Sequence, residues 1–146
     1  MLIDKAKLPL VDMENMNEVH LEDVDIINDL SDLLDKYAKN EDEKSFQSIN
    51  KQYEKWFAHT IEHFANEEKM MQEKGFFAYE MHKGEHMNTL ARMQFVYEEW
   101  LGTKDIIILK DYVQHECLAW LVNHIQTMDT VTARFLKTGI SPCHAY

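Results

Sequence analysis

Apolar residues recur three and four positions apart along most of this chain, the spacing that lines one face of an α-helix. A first stripe, Ile26, Ile27, Leu30, Leu33, Leu34 and Tyr37 with His20 at its head, predicts a helix over about 17–39. Residues 40–43 are polar and suit a short turn. A second stripe, Phe46, Ile49, Tyr53, Trp56, Phe57, Phe64, Met70 and Met71, predicts a helix over about 44–73. Gly75 is placed to end it, because glycine adopts the left-handed conformation that closes a helix. A third helix is expected over about 77–101, stopping before Gly102 and Thr103. The fourth should run from about Asp105 to Lys137, closed by Gly139 with Pro142 just beyond. Residues 1–16 have no clear period and read as an arm packed across the helices, and 138–146 as a short tail. Short connections between long helices favour antiparallel neighbours. The expected fold class is therefore all-α: an up-down-up-down antiparallel four-helix bundle with an N-terminal arm, one domain over residues 1–146.

Composition sharpens this picture. With 4 Gly and 2 Pro in 146 residues, there are too few turn formers for a sandwich or barrel. Hydrophobic residues at 45% and charged residues at 28% are the balance of a globular domain. A net charge of -11 repels phosphate backbones and anionic bilayers, so neither nucleic acid nor a membrane is an expected partner. No run approaches the roughly 18 apolar residues that span a bilayer. Asp4, Lys5 and Lys7 interrupt the N-terminus, so no secretory signal is read there. Two cysteines are too few for a disulfide framework, and a reduced cytoplasm is the expected compartment. Cys117 reads as a small core residue and Cys143 as incidental in the tail.

The candidate chemistry lies in the placement of the 8 histidines. Residues four apart on a helix differ by about 40° in direction, so their side chains leave from one face. His63 and Glu67 have this spacing on the second helix, and His82 and His86 on the third. The first helix presents His20 and the fourth presents His124 and Asp129, so every helix offers a ligand. An isolated histidine on an apolar stripe is ordinarily a hydrogen-bonded core or surface residue. Five imidazoles and two carboxylates aimed into one small core are costly unless satisfied together, and metal ions satisfy them at once. Glu68 lies about 140° from His63 and is the poorer candidate. His124 and Asp129 are five apart, which is awkward on a regular helix. If both are ligands, the fourth helix should widen between them, as in a π-bulge.

The segments HFANEE (63–68), HKGEH (82–86) and WLVNHIQTMD (120–129), with His20 upstream, resemble the hemerythrin signature over about residues 17–137. The resemblance implies two iron ions, Fe2+ or Fe3+, joined by an oxo or hydroxo group. By it His82, His86 and His124 hold one iron, His20 and His63 the other, and Glu67 and Asp129 bridge the two. Counting donors gives six on the first iron and five on the second, which keeps one position open. The implied function is reversible binding of dioxygen for carriage, storage or delivery. Dioxygen would be held end-on as hydroperoxide on the five-coordinate iron, with a separate protein receiving the oxygen. Phe64, Trp120, Leu121 and Ile125 sit beside ligands and are expected to line a dry oxygen pocket.

The chain departs from the family around His20, with Asn17 three before it and Asp23 three after it. Asn17 can cap the first helix. Asp23 lies about 60° from His20, on the core side. Two readings of it stay open: a carboxylate near the open iron, or, after a small helix rotation, an exposed side chain, which is the simpler expectation. His59, one turn before His63, reads as a surface residue, with a supporting partner of the site as the alternative, and His115 and His144 read as incidental. The competing function is a di-iron enzyme consuming peroxide or nitric oxide, with weak peroxidase activity its mildest form; another is an oxygen sensor acting on a separate protein. No Glu is followed three residues later by His, so the Glu-x-x-His pairs of ferritin-like sites are missing.

Overall fold

A computed structural model of the chain describes residues 1–139. Its first long helix, α1 (Glu14–Lys39), begins three residues before the start expected at about residue 17. Asn17, the expected cap, does not cap it. It lies inside the first turn, and its amide exchanges two 2.9 Å hydrogen bonds with the backbone of Val11. Asn28 does the same for Ile3, accepting from its N–H at 2.8 Å and donating to its carbonyl at 3.0 Å. These two amides tie residues 1–13 along α1 and satisfy an arm that has little regular structure of its own. Ile3, Leu8 and Val11 are buried beneath it.

The second helix, α2 (Glu43–Glu73), is capped by Asp42, whose carboxylate accepts from Ser45 N–H at 2.7 Å. It ends as the sequence suggests. Gly75 takes φ 64°, and the Phe76 N–H reaches back to the Met71 carbonyl at 2.9 Å. The third helix, α3 (Tyr79–Thr103), runs past Gly102 and ends at Lys104, which adopts the left-handed φ of 54° without being glycine. Asp105 already caps the next helix through Ile107 N–H, so the whole reversal falls on Lys104. Its ammonium lies 4.5 Å above the Phe46 ring.

The fourth rod, α4, is continuous over 106–138 but not regular. α-Helical stretches Ile106–Asp111, Cys117–His124 and Thr130–Thr138 alternate with π-helical turns at Tyr112–Glu116 and Ile125–Asp129. In each turn the backbone bonds span five residues: Cys117 N–H to the Tyr112 carbonyl, and Thr130 N–H to the Ile125 carbonyl. The widening expected between His124 and Asp129 is therefore present. The turn at Tyr112–Glu116 has no counterpart in the sequence reading. Gly139, at φ 74°, closes the rod; Pro142, Cys143 and His144 lie outside the described residues.

The helices pack in a ring, α1 on α2, α2 on α3, α3 on α4 and α4 on α1. This is the antiparallel four-helix bundle expected. At one end Trp100 packs against Tyr37 and Phe46, its indole N–H donating to Asn50 Oδ1 at 2.8 Å. Antiparallel order brings the start of α1, the end of α2, the start of α3 and the end of α4 to the other end. Every candidate ligand sits there. Among the described residues no helix is long and apolar enough to cross a membrane.

Candidate metal centre

His20, His63, Glu67, His82, His86, His124 and Asp129 are all buried, none more than 8% exposed. They form two groups of converging donor atoms. Glu67, His82, His86, His124 and Asp129 make one; His20, His63 and Glu67 make the other. Glu67 belongs to both. Asp129 also reaches across, with one oxygen 3.1 Å from both His82 Nε2 and His124 Nε2 and the other 2.9 Å from His20 Nε2. The π-helical turn makes this possible. Its wider winding, bonded from each residue to the fifth before it, brings His124 and Asp129 to one side of the rod.

Hydrogen bonds at the rim turn the rings inward. His63 Nδ1 donates to Asp23 Oδ2 at 2.9 Å, His82 Nδ1 to Thr132 Oγ1 at 2.7 Å, His86 Nδ1 to Glu68 Oε2 at 3.1 Å and His124 Nδ1 to Glu85 Oε1 at 2.6 Å. A proton held on Nδ1 leaves an Nε2 lone pair facing the cluster. His82 Nε2 and His124 Nε2 then confront each other at 3.2 Å, lone pair to lone pair. A metal ion between them, or a proton on one ring, relieves that arrangement. Two donors bonded at right angles to one ion at ~2.1 Å stand about 3.0 Å apart, and the inward contacts fall close to this value. Glu67 Oε1, His86 Nε2 and Asp129 Oδ1 are buried without a hydrogen-bond partner. Nitrogen and carboxylate donors in this mixture suit a first-row transition metal. The residues present therefore fit two metal ions.

The charges agree. Burial alone would raise both carboxyls, but contacts with His124, His20 and His82 hold Asp129 well below the usual carboxylate range. Burial and the neighbouring Asp129 push Glu67 the other way, yet the His63 contact keeps it lowered. Two adjacent carboxylates thus stay ionised in the core, where positive charge on the surrounding imidazoles or on metal ions balances them.

Aromatic rings seal the first group. Phe64 stacks on His86 at 3.8 Å and Trp120 on His124 at 4.5 Å. Beside them lies a cavity of about 320 Å³ whose walls include Phe64, Trp120, Leu121, Asp23, His63 and Asp129. Ile125 is fully buried but lies outside that lining.

Asp23 is not exposed, contrary to the simpler expectation. It is buried between α1 and α2, with Oδ2 on His63 and Oδ1 on His59 Nδ1 at 2.7 Å. His59 is accordingly no free surface residue, because it partners this carboxylate. Burial would raise the Asp23 carboxyl, but the two imidazoles outweigh it and hold it lowered. Glu68, Glu85 and Thr132 were missed as partners of the histidines. Glu85 lies between His82 and His86 in sequence, which is a weak signal; Thr132 has none.

The chain is similar to a bacteriohemerythrin of Aquifex aeolicus (strain VF5), with 32% identity over 136 residues, 93% of this chain and 98% of that one. No family model and no solved structure matches it.

Proposed function

This chain belongs to the hemerythrin family, and on that premise we propose that it binds dioxygen reversibly, for carriage, storage or delivery, at two non-haem irons. His82, His86 and His124 would hold one iron and His20 and His63 the other. Glu67 and Asp129 would bridge them, together with an oxo or hydroxo group. Two ferrous ions in such a centre supply the two electrons that dioxygen takes up and returns. The observation that carries the reading is the unequal division of donors: three imidazoles converge on one side of Glu67 and two on the other. The two-imidazole side is one donor short, and an open position separates a reactive centre from a structural one.

The remaining residues keep that position dry and oriented. Phe64, Trp120 and Leu121 present apolar walls from which water gains little. Asp23, Thr132, Glu68 and Glu85 hold ligand rings in place by their Nδ1 hydrogens. One observation favours a second reading, a di-iron enzyme consuming peroxide or nitric oxide: the buried Asp23 carboxylate lies on the cavity wall beside His63.

The deciding experiment is an optical spectrum of anaerobically reduced, iron-loaded protein, taken again after admitting air and after removing the oxygen. Reversible binding predicts a visible charge-transfer band that appears with oxygen and fades when oxygen is withdrawn. Direct passage to a stable oxidised spectrum would sink the carrier reading and turn attention to peroxide turnover.

A further inference from the structure

The two sides of the cluster are anchored differently. On the three-imidazole side each ring has its own outside acceptor: Thr132 for His82, Glu68 for His86 and Glu85 for His124. On the two-imidazole side His20 has no outside acceptor, because its Nε2 faces Asp129 and its Nδ1 has no hydrogen-bond partner. Only His63 is held from outside, and Asp23 holds it.

Asp23 is itself shared. One oxygen takes the His63 hydrogen at 2.9 Å and the other takes that of His59 at 2.7 Å. His59 turns its remaining nitrogen to the exposed Glu22 carboxylate at 3.2 Å. The arrangement follows from helix geometry. His59 and His63 are one turn apart on α2 and face α1, where the consecutive residues Glu22 and Asp23 straddle the His59 ring. A continuous line of hydrogen bonds, His63–Asp23–His59–Glu22, thus runs from the cluster to the surface.

A carboxylate that accepts from a ligand imidazole raises the donor strength of that ring. A carboxylate accepting from a second imidazole has less to give the first. Resting on the two-iron reading above, we propose that Asp23 and His59 are a positioning pair for the two-imidazole metal position. Asp23 fixes the His63 ring and strengthens its donation to the metal, and His59 tempers that donation by sharing the carboxylate. Removing either member therefore has opposite electronic effects. Without Asp23, His63 is a weaker donor to a ferric ion and the reduction potential rises. Without His59, the whole carboxylate falls on His63 and the potential drops.

The test uses the full iron-loaded chain and two variants, Asp23→Leu and His59→Leu. Iron retained per chain is followed during a challenge with a chelator, and the midpoint potential is read from an optical redox titration. Wild-type protein is expected to hold two irons. Asp23→Leu should release one of them about 10–100-fold more readily, the range typical for losing such an outer contact, while keeping the other. His59→Leu, a change at a half-buried residue, should retain both irons and lower the potential, with Asp23→Leu raising it. Equal release of both irons by Asp23→Leu, or potentials that move in the same direction in both variants, would overturn the proposal. Wild-type protein holding fewer than two irons would overturn the two-iron reading itself, and the pair with it.

Discussion

Removing the metals should cost this protein a large share of its stability. Glu67 Oε1, His86 Nε2 and Asp129 Oδ1 face the cluster, buried and without hydrogen-bond partners. A buried polar group left unsatisfied costs about 1–3 kcal/mol, so three cost about 3–9 kcal/mol, against ~5–15 kcal/mol for a whole domain. Even at the lower end, a chain of this size should melt about 6–12 °C lower once stripped of metal. The facing lone pairs of His82 and His124 add to this in the same direction. The assay is a thermal melt followed by far-ultraviolet circular dichroism, on iron-loaded protein, on chelator-treated protein and on the latter reloaded with ferrous iron. Recovery of the melting temperature on reloading separates metal loss from damage. A stripped protein melting within ~3 °C of the loaded one would refute the reasoning. The buried donors would then be satisfied by rearrangement, and the cluster would not be built around a cation.

Four further outcomes follow from the geometry. Deleting Gln126, an exposed residue of the second π-helical turn, leaves His124 and Asp129 four apart and still on one side, so iron content should stay near the wild-type value. Deleting the exposed Lys55 of the regular helix α2, by contrast, rotates that helix by about 100° between its two halves and should abolish iron binding, as metal analysis of both proteins would show. Burial pushes the Cys117 thiol up to about 12 from its ordinary 9.0, so in a Cys143→Ser protein a disulfide reagent at pH 8 should react about a thousandfold more slowly with folded than with unfolded chain. Asn50→Leu strands the Trp100 indole N–H at the far end of the bundle and should cost about 1–3 kcal/mol in a denaturant titration, with iron content unchanged.

Much of this protein could be read along one dimension. The helices and their order follow from apolar residues three and four apart, because burying a stripe on each helix depends only on local geometry. The candidate ligands could be read for the same reason. His63 with Glu67 and His82 with His86 share a face in any α-helix, and the spacing of His124 and Asp129 announced the distortion now seen between them. Reading failed where the answer depended on a neighbouring helix. Asp23 was expected in solvent because its own helix allowed either rotation, and only the packing of α2, with His59 and His63 facing α1, fixed it in the core. The acceptors Glu68, Glu85 and Thr132 escaped notice because a hydrogen bond between helices leaves no periodic trace in either one. The turn at Tyr112–Glu116 had no ligand pair to announce it. Local spacing decided which faces carry the chemistry; the side-by-side packing of the helices decided which side chains hold it in place, because that depends on the rotation and approach of separate helices.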